Sequence, residues 1–569
     1  MKLSTKLHLL YHILRWRLTW AKRNTHYAYR VPGNPKFMGS RDAVKLIRDG
    51  DVVATSGMAG NQRLGIMYWA IREMFDETGR PRNLTLMCTG GQGARGKVPG
   101  SMEELGREGL NARLVTGHQE TFKAQLRLAG EGKLEVQCIP QGILTFLIEA
   151  QGRGEDSLLS RTGIGTFIDP RVGPGSAVFD PDAEALVTVE GDQLRYRAPR
   201  VTVAMFSAPA ADREGNIYLE GNSILAETFE VTRAARANNG CVIANVARVV
   251  EKQPGKIDVP AKDVDAIVVD PDCEQAASIK HRRVWPLLTT HSDVPVGEAI
   301  ERLRFINQVL GITPRRTKVD NVIARLAAVT FAENARRGGY VNIGVGLPEE
   351  VCRMLFEAGL LGEVTAFTET GVIGGIPAPG MFFGAAACPE KMIPSCDVFR
   401  LIYERLDVAV LGVIEADSEG NVNVSKRGEG PINYVGPGGF IDITTGARMV
   451  LFVAAWMPRA KVRVQGDRLV IVERAGPKFK DRLAEITFSG QQALKAGKKV
   501  FFATTVGLFE LTERGMELRR VMPGIDIRKD ILELSSMRVV LPESGDVPTV
   551  DRSIVTGEGF RLAFSDASA

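Results

Sequence analysis

RVTVAMFSAPAADREGNIYL, residues 200 to 219, and RLDVAVLGVIEADSEGNVNV, residues 405 to 424, align without a gap at an offset of 205. Val203 and Val408, Ala204 and Ala409, Ala211 and Ala416, Asp212 and Asp417, Glu214 and Glu419, Gly215 and Gly420, and Asn216 and Asn421 match. In each copy an apolar strand enters an acidic Gly-Asn turn and leaves as a second, alternating strand, which is a hairpin signal. The chain reads as two similar halves in tandem.

Each half also opens alike. A helical pattern over Asp42 to Arg48 leads into DGDVVATSG (49 to 57), and one over Val322 to Arg337 leads into GGYVNIGVGLP (338 to 348). Helix, glycine, short apolar strand and Gly-containing turn are the grammar of an open α/β sheet, whose ligands sit at the carboxyl ends of strands. The expected fold class is therefore α/β, with two similar open-sheet domains. At 569 residues the chain is too long for one ordinary core. Residues 282 to 316 are punctuated by Pro286, Pro295, Gly297, Gly311 and Pro314, with a helical stretch from Ala299 to Leu310. That places a linker at 296–318, a first domain at 38–295, a second at 319–569, and a basic N-terminal extension at 1–37.

Composition narrows the function classes. Nine basic residues precede the first acidic one, Asp42, which turns the net charge of +5 for the whole chain into −4 for residues 42 to 569. A mildly acidic body argues against nucleic acid as a partner. The seven cysteines are scattered and never in CxxC spacing, so neither a disulfide framework nor a structural zinc site is expected. A reducing, cytoplasmic setting follows, and no apolar run is long enough for an integral membrane segment. Within residues 1–30, Leu3, Leu7, Leu10, Leu14 and Leu18 recur at helical spacing opposite basic residues. A basic amphipathic helix there reads as packed on its own protein or a partner subunit, as a membrane-surface contact, or as an organelle presequence.

The chemistry centres on AFTETGVIGGIPAPG, residues 366 to 380, where one carboxylate, Glu369, precedes a run of small, turn-forming residues. A carboxylate is ionised at neutral pH and can attack a thioester without a general base, a metal or a histidine. All six histidines precede residue 292, so a histidine-dependent nucleophile in the second half would have to borrow its partner from the first. Cys388 in GAAACPE has no histidine near it in sequence and reads as an inert buried thiol. TGIGTF and GVGLPEE fall short of a dinucleotide fingerprint, and no GK[ST] phosphate loop occurs.

The segment 366–380 resembles the active-site stretch of the family I CoA transferases. Further matches are Gly90-Gly91-Gln92-Gly93, Pro140-Gln141-Gly142 and Thr162 to Pro170 in the first half. In the second half they are Val341 to Pro348, Phe383-Gly384, Gly420 to Lys426 and GPGGFIDIT (436 to 444). The resemblance runs from about residue 38 to 565. It implies an α-type and a β-type subunit fused in one chain, as in the propionate and acetate CoA transferases of bacteria, on a sugar-isomerase-like fold. The implied reaction moves CoA from a short-chain acyl-CoA to a carboxylic acid of the acetate, propionate or 3-ketoacid class. Glu369 would be the nucleophile of a ping-pong cycle through a glutamyl-CoA thioester. Coenzyme A enters as co-substrate, with no permanently bound cofactor and no metal, and a homodimer or homotetramer is implied.

Roles follow residue by residue. Gly344, Gly346, Gly374 and Gly375 would let backbone approach the thioester and pantetheine arm, and Gly436, Gly438 and Gly439 could present N–H groups to an oxyanion or to CoA. His118 and Gln119 match the place where the first half reaches into the acyl site. Two departures touch substrate choice: Ser56-Gly57-Met58 where a Gly-Gly-Phe is usual, and Thr368-Glu369-Thr370-Gly371 where the family has Ser-Glu-Asn-Gly. Aligning Thr162-Gly163 with Thr370-Gly371 puts Arg161 where Glu369 stands, leaving the first half without a nucleophile. Two alternatives stay open, an acyl-CoA thioester hydrolase on the same scaffold and a non-catalytic ligand-binding relative.

Overall fold

Short runs of β-branched and small apolar residues make the strands of two sheets, and helices between them provide the crossovers that parallel pairing requires. The computed structural model describes residues 1–93, 98–175, 183–273, 286–313 and 315–565. His281, the opening residues 282–285 of the Pro- and Gly-punctuated stretch and Pro314 lie outside them. The first sheet contains β1 (Val52–Thr55), β2 (Leu84–Cys88), β3 (Asn111–Thr116), β4 (Glu135–Cys138), β5 (Val203–Asp212), β6 (Cys241–Val250) and β7 (Ala266–Val269). These seven lie in the order β7-β6-β5-β1-β2-β3-β4, all parallel, and the short strand Ile217–Tyr218 adds an eighth, antiparallel to β5.

The second sheet contains β8 (Gly339–Ile343), β9 (Val364–Phe367), β10 (Val372–Ile373), β11 (Lys391–Met392), β12 (Leu406–Gly412), β13 (Met449–Val453), β14 (Lys499–Ala503), β15 (Gly507–Thr512), β16 (Gly515–Val521) and β17 (Val539–Val540). Their order is β11-β10-β9-β8-β12-β13-β14-β15-β16-β17. β9, β8, β12, β13 and β14 run parallel. The five central strands repeat the first sheet in order and in register. Val203 pairs with Val53 and Cys241, and its repeat partner Val408 pairs with Val341 and Met449. Two similar open α/β sheets in tandem are therefore the architecture, as the repeat predicts.

The repeated turn has a local cause. Asp212 Oδ1 accepts the N–H groups of Glu214 at 2.9 Å and of Gly215 and Asn216 at 3.0 Å. Asp417 Oδ1 accepts those of Glu419 and Asn421, both at 3.0 Å. Gly215 and Gly420 sit at φ +99° and +72°, a conformation that side chains resist. The shared motif is thus a pair of Asp-capped hairpin turns.

The helices that matter for the site are α1 (Leu3–Thr19), α2 (Gln141–Gln151), α3 (Val296–Val309), α4 (Lys318–Asn334), α5 (Ser395–Arg405) and α6 (Phe440–Gly446). α4 starts at a capping box: Asp320 N–H donates to Thr317 Oγ1 at 3.1 Å, and Thr317 N–H to the Asp320 carboxylate at 2.7 Å. α1 forms as the leucine periodicity suggests, but it docks through another face. Leu9, Ile13 and Trp16 are buried in one cluster with Ala299, Ile300 and Leu303 of α3, while the five periodic leucines point to solvent.

The halves are joined by a buried polar knot. Asp442 of α6 is inaccessible to solvent and accepts the Gly142 N–H at 3.0 Å, the Ile143 N–H at 3.2 Å and the Tyr403 hydroxyl at 2.8 Å. Gly142 and Ile143 belong to the first turn of α2, whose N–H groups have no partner within the helix. Tyr403 in turn meets Thr162 of the first half at 3.0 Å. Burial pushes the Asp442 carboxyl up to about 7 against the pull of these donors. A Cβ at Gly142 would sit 2.5 Å from the Phe399 ring and 2.6 Å from Asp442 Oδ1, which explains the glycine of Pro140-Gln141-Gly142.

Candidate active site

Glu369 lies two residues beyond the carboxyl end of β9, on the turn that β9 and β10 make as an antiparallel pair. The turn is set by its neighbours. Thr368 N–H donates to Val372 O at 2.9 Å, and the Thr370 hydroxyl donates to Gly384 O. Gly371, at φ +91°, passes so close to Ile393 O that any Cβ would collide with it. Glu369 itself is half-buried and forms no ion pair among the described residues. Burial raises its pKa above the ordinary carboxylate range, while its own N–H and the Asn342 side chain pull it back down. A carboxylate so placed is partly stripped of water and keeps its lone pairs for chemistry.

Gly439 faces this carboxylate. A Cβ there would lie 3.6 Å from both Cβ and Cγ of Glu369, so a side chain would crowd the acid. The Gly439 N–H heads α6 and donates to no other group among the described residues. Gly436 and Gly438 differ, because their N–H groups are already engaged, by Ser425 O at 3.1 Å and Gly117 O at 2.7 Å. The structure thus corrects the expectation that all three glycines offer N–H groups to a ligand. Gly436 and Gly438 instead press the 435–439 loop onto the first half. A Cβ at Gly436 would overlap the Gln119 amide and lie 2.8 Å from Gly117 O.

That contact brings His118 and Gln119 to the seam. Gln119 and Glu120 N–H groups donate to Val435 O at 2.8 and 3.0 Å, and Gln141 N–H donates to Gly438 O at 3.0 Å. The His118 ring packs against Gly91, where a Cβ would come within 2.6 Å of it. The carboxyl ends of β3 and β4 therefore meet the loop that carries Gly439 beside Glu369.

The remaining glycines have nearer explanations in the chain's own packing. At Gly375 a Cβ would overlap Ala387 O and lie 2.7 Å from Cys388 O, and at Gly374 it would sit 2.6 Å from the Glu390 side chain. Both hold the hairpin against the segment 386–390. Gly344 donates to Val410 O at 2.8 Å, and Gly346 is exposed, with its N–H 3.3 Å from Glu349 and its carbonyl 2.6 Å from Arg316. They line the end of β8.

The register also corrects the internal comparison. Arg161 follows a strand (Ser157–Ser160) of a separate three-stranded antiparallel sheet and pairs with Asp192 at the surface. In the duplicated sheets Val53 corresponds to Val341, so their partners Leu86 and Ala366 correspond, and three residues on Thr89 stands where Glu369 stands. The first half carries a buried threonine at the place of the acid.

Asn342 and Asn61 escaped the sequence reading. Asn342, buried at the end of β8, donates to Phe367 O at 3.2 Å besides touching Glu369. A polar residue inside the apolar run GYVNIGVG was the signal available for it. Asn61 donates to Phe383 O at 3.0 Å, and Met58 packs with Ile224, Ala226, Val372 and Ala386 beside Phe383. The buried Gln141 amide leaves Nε2 without a partner among the described residues. Such a donor is suited to an oxyanion. Cys388 is held by hydrogen bonds to Val294 O at 3.1 Å and Ser292 at 3.3 Å.

Comparison with known proteins gives a consistent set of relatives. The family model described as Coenzyme A transferase matches residues 38–270. The caffeate CoA-transferase of Acetobacterium woodii is 33% identical over 522 residues, covering 88% of this chain and 93% of that one. The acetate CoA-transferase YdiF of Escherichia coli K12 is 29% identical over 527 residues, covering 90% and 94%. Among solved structures, the apoenzyme of the acyl-CoA transferase YdiF from Escherichia coli O157:H7 superposes with a TM-score of 0.80 at 27% identity, covering 94% of this chain and 99% of that one. The thioester complex of that enzyme with CoA superposes at 0.78, also at 27% identity, covering 92% and 97%.

Proposed function

The chain belongs to the coenzyme A transferase family and is an enzyme of that class, and on that premise we propose that Glu369 carries CoA between acyl groups in a ping-pong cycle. Its carboxylate attacks the thioester carbonyl of an acyl-CoA, giving a mixed anhydride and CoA thiolate. The thiolate then attacks the glutamyl carbonyl, releasing the acyl group as a carboxylate and leaving a glutamyl-CoA thioester. An acceptor carboxylate attacks that thioester, and the freed thiolate attacks the acceptor's acyl carbon of the new anhydride. The second acyl-CoA leaves, and Glu369 returns as a carboxylate.

The observation that carries this reading is the half-buried Glu369, which forms no ion pair among the described residues, beside Gly439, whose N–H meets no acceptor among them. In the cycle that N–H and the Gln141 amide stabilise the oxyanions, and His118 and Gln119 border the acyl site. Donor and acceptor are short-chain acids of the acetate, propionate or 3-ketoacid class, CoA is the co-substrate, and the enzyme works as a homodimer or homotetramer. Residues 38–295 and 319–569 are the two domains, joined by 296–318. Seven free thiols fit a reducing compartment such as the cytoplasm.

The test is covalent capture. Incubation with acetyl-CoA or propionyl-CoA, followed by borohydride or hydroxylamine, should leave a mass change on the peptide holding Glu369. Glu369→Ala should lose both the adduct and the transfer. An unmodified Glu369 together with full transfer by Glu369→Ala would overturn the mechanism.

A further inference from the structure

α1 is apolar on two opposite faces, and among the described residues only one is docked. Leu9, Ile13 and Trp16 pack on α3, while Leu3, Leu7, Leu10, Tyr11, Leu14 and Leu18 are 40–76% exposed. At 3.6 residues per turn these six fall within an arc of about 100° on the side away from α3. Exposed Lys6 and Arg17 border the arc on one side and exposed Arg15 on the other. No acidic residue occurs before Asp42, so nothing on the helix offsets their charge.

A soluble protein seldom leaves a leucine stripe of this length uncovered. Charge decides what covers it. Two copies of α1 paired stripe to stripe would bring together two segments with only positive side chains, whereas an anionic surface complements them. At 17 residues α1 is not long and apolar enough to cross a membrane, but it can lie along one. We propose that the exposed face of α1 docks on an anionic lipid bilayer, with its leucines at the acyl boundary and Lys6, Arg15 and Arg17 reaching lipid phosphates. The docked face keeps the helix fixed to α3, so the enzyme would be held at the membrane surface as a rigid body.

The full-length protein should sediment with vesicles of phosphatidylcholine plus phosphatidylserine, bind pure phosphatidylcholine vesicles far less, and lose binding as salt is raised. The double substitution Leu7→Gln, Leu14→Gln should weaken partitioning about tenfold or more, since it removes two of the inserted leucines. Both positions are exposed and distant in sequence from the site, so transferase activity and the unfolding midpoint should not change and serve as the folding control. Three results would each overturn the proposal. They are no binding to the anionic vesicles, equal binding by the double variant, or a lipid-free assembly of the wild type that the double variant splits, which would mean a second copy covers the stripe.

Discussion

Replacing Asp442 by alanine tests whether the two halves are held together by chemistry rather than by shape alone. The carboxylate accepts two backbone N–H groups from the first turn of α2 and one hydroxyl from Tyr403, all at 2.8–3.2 Å and out of reach of solvent. Alanine leaves the two N–H groups buried without an acceptor, at roughly 1–3 kcal/mol each. Tyr403 retains Thr162 as a partner and so adds less. The expected loss is about 3–5 kcal/mol, enough to move a urea midpoint well outside error. A double-mutant cycle sharpens the test: Tyr403→Phe should destabilise the wild type by about 1 kcal/mol more than it destabilises Asp442→Ala. Steady-state kcat/KM should fall in Asp442→Ala, because Asp442 and the Gly436–Gly439 loop flank the same helix start. A variant within about 1 kcal/mol of wild type, or equal Tyr403→Phe effects in both backgrounds, would refute the argument.

Three further outcomes are expected. In the proposed cycle Glu369 attacks as a carboxylate, and its pKa is raised by burial, so kcat/KM should fall as pH drops through a value above the ordinary 4.3 of a glutamate; an acid limb at or below that value in a pH–rate profile would contradict that role. Gly436→Ala combines a φ of +76° with overlap of the Gln119 amide and should destabilise by about 2–4 kcal/mol, with transfer reduced in parallel. A wild-type midpoint in that variant would show that the loop is not pressed onto the first half. Cys388→Ala should keep transfer within about twofold, since the thiol is engaged by Val294 O and takes no part in the cycle. Loss of activity in an otherwise folded Cys388→Ala would point to thiolate chemistry instead.

The duplication was legible because its signal is local. Asp212 and Asp417 cap the turn only a few residues away, and Gly215 and Gly420 supply the positive φ, so each hairpin needs the same residues at the same spacing. The proposal for Glu369 also rests on a short-range pattern, a lone acid ahead of turn glycines. What the neighbouring glycines do was not legible. Gly374 and Gly375 yield to Glu390 and Ala387, and Gly436 yields to Gln119, more than 300 residues earlier. Small size looks the same in sequence whether a ligand or the chain's own backbone fills the space.

From the sequence alone came two α/β halves, the acid that one of them bears, and a helix of leucines and cations at the front. The tertiary structure decided which residue of the first half corresponds to that acid, because strand register equates Thr89 with Glu369 and leaves Arg161 on another sheet. It also decided which face of α1 is covered, since both faces are apolar and only the position of α3 selects between them. Local patterns obey the spacing of neighbours along the chain. Register and docking obey contacts between segments hundreds of residues apart, and those exist only once the chain has folded.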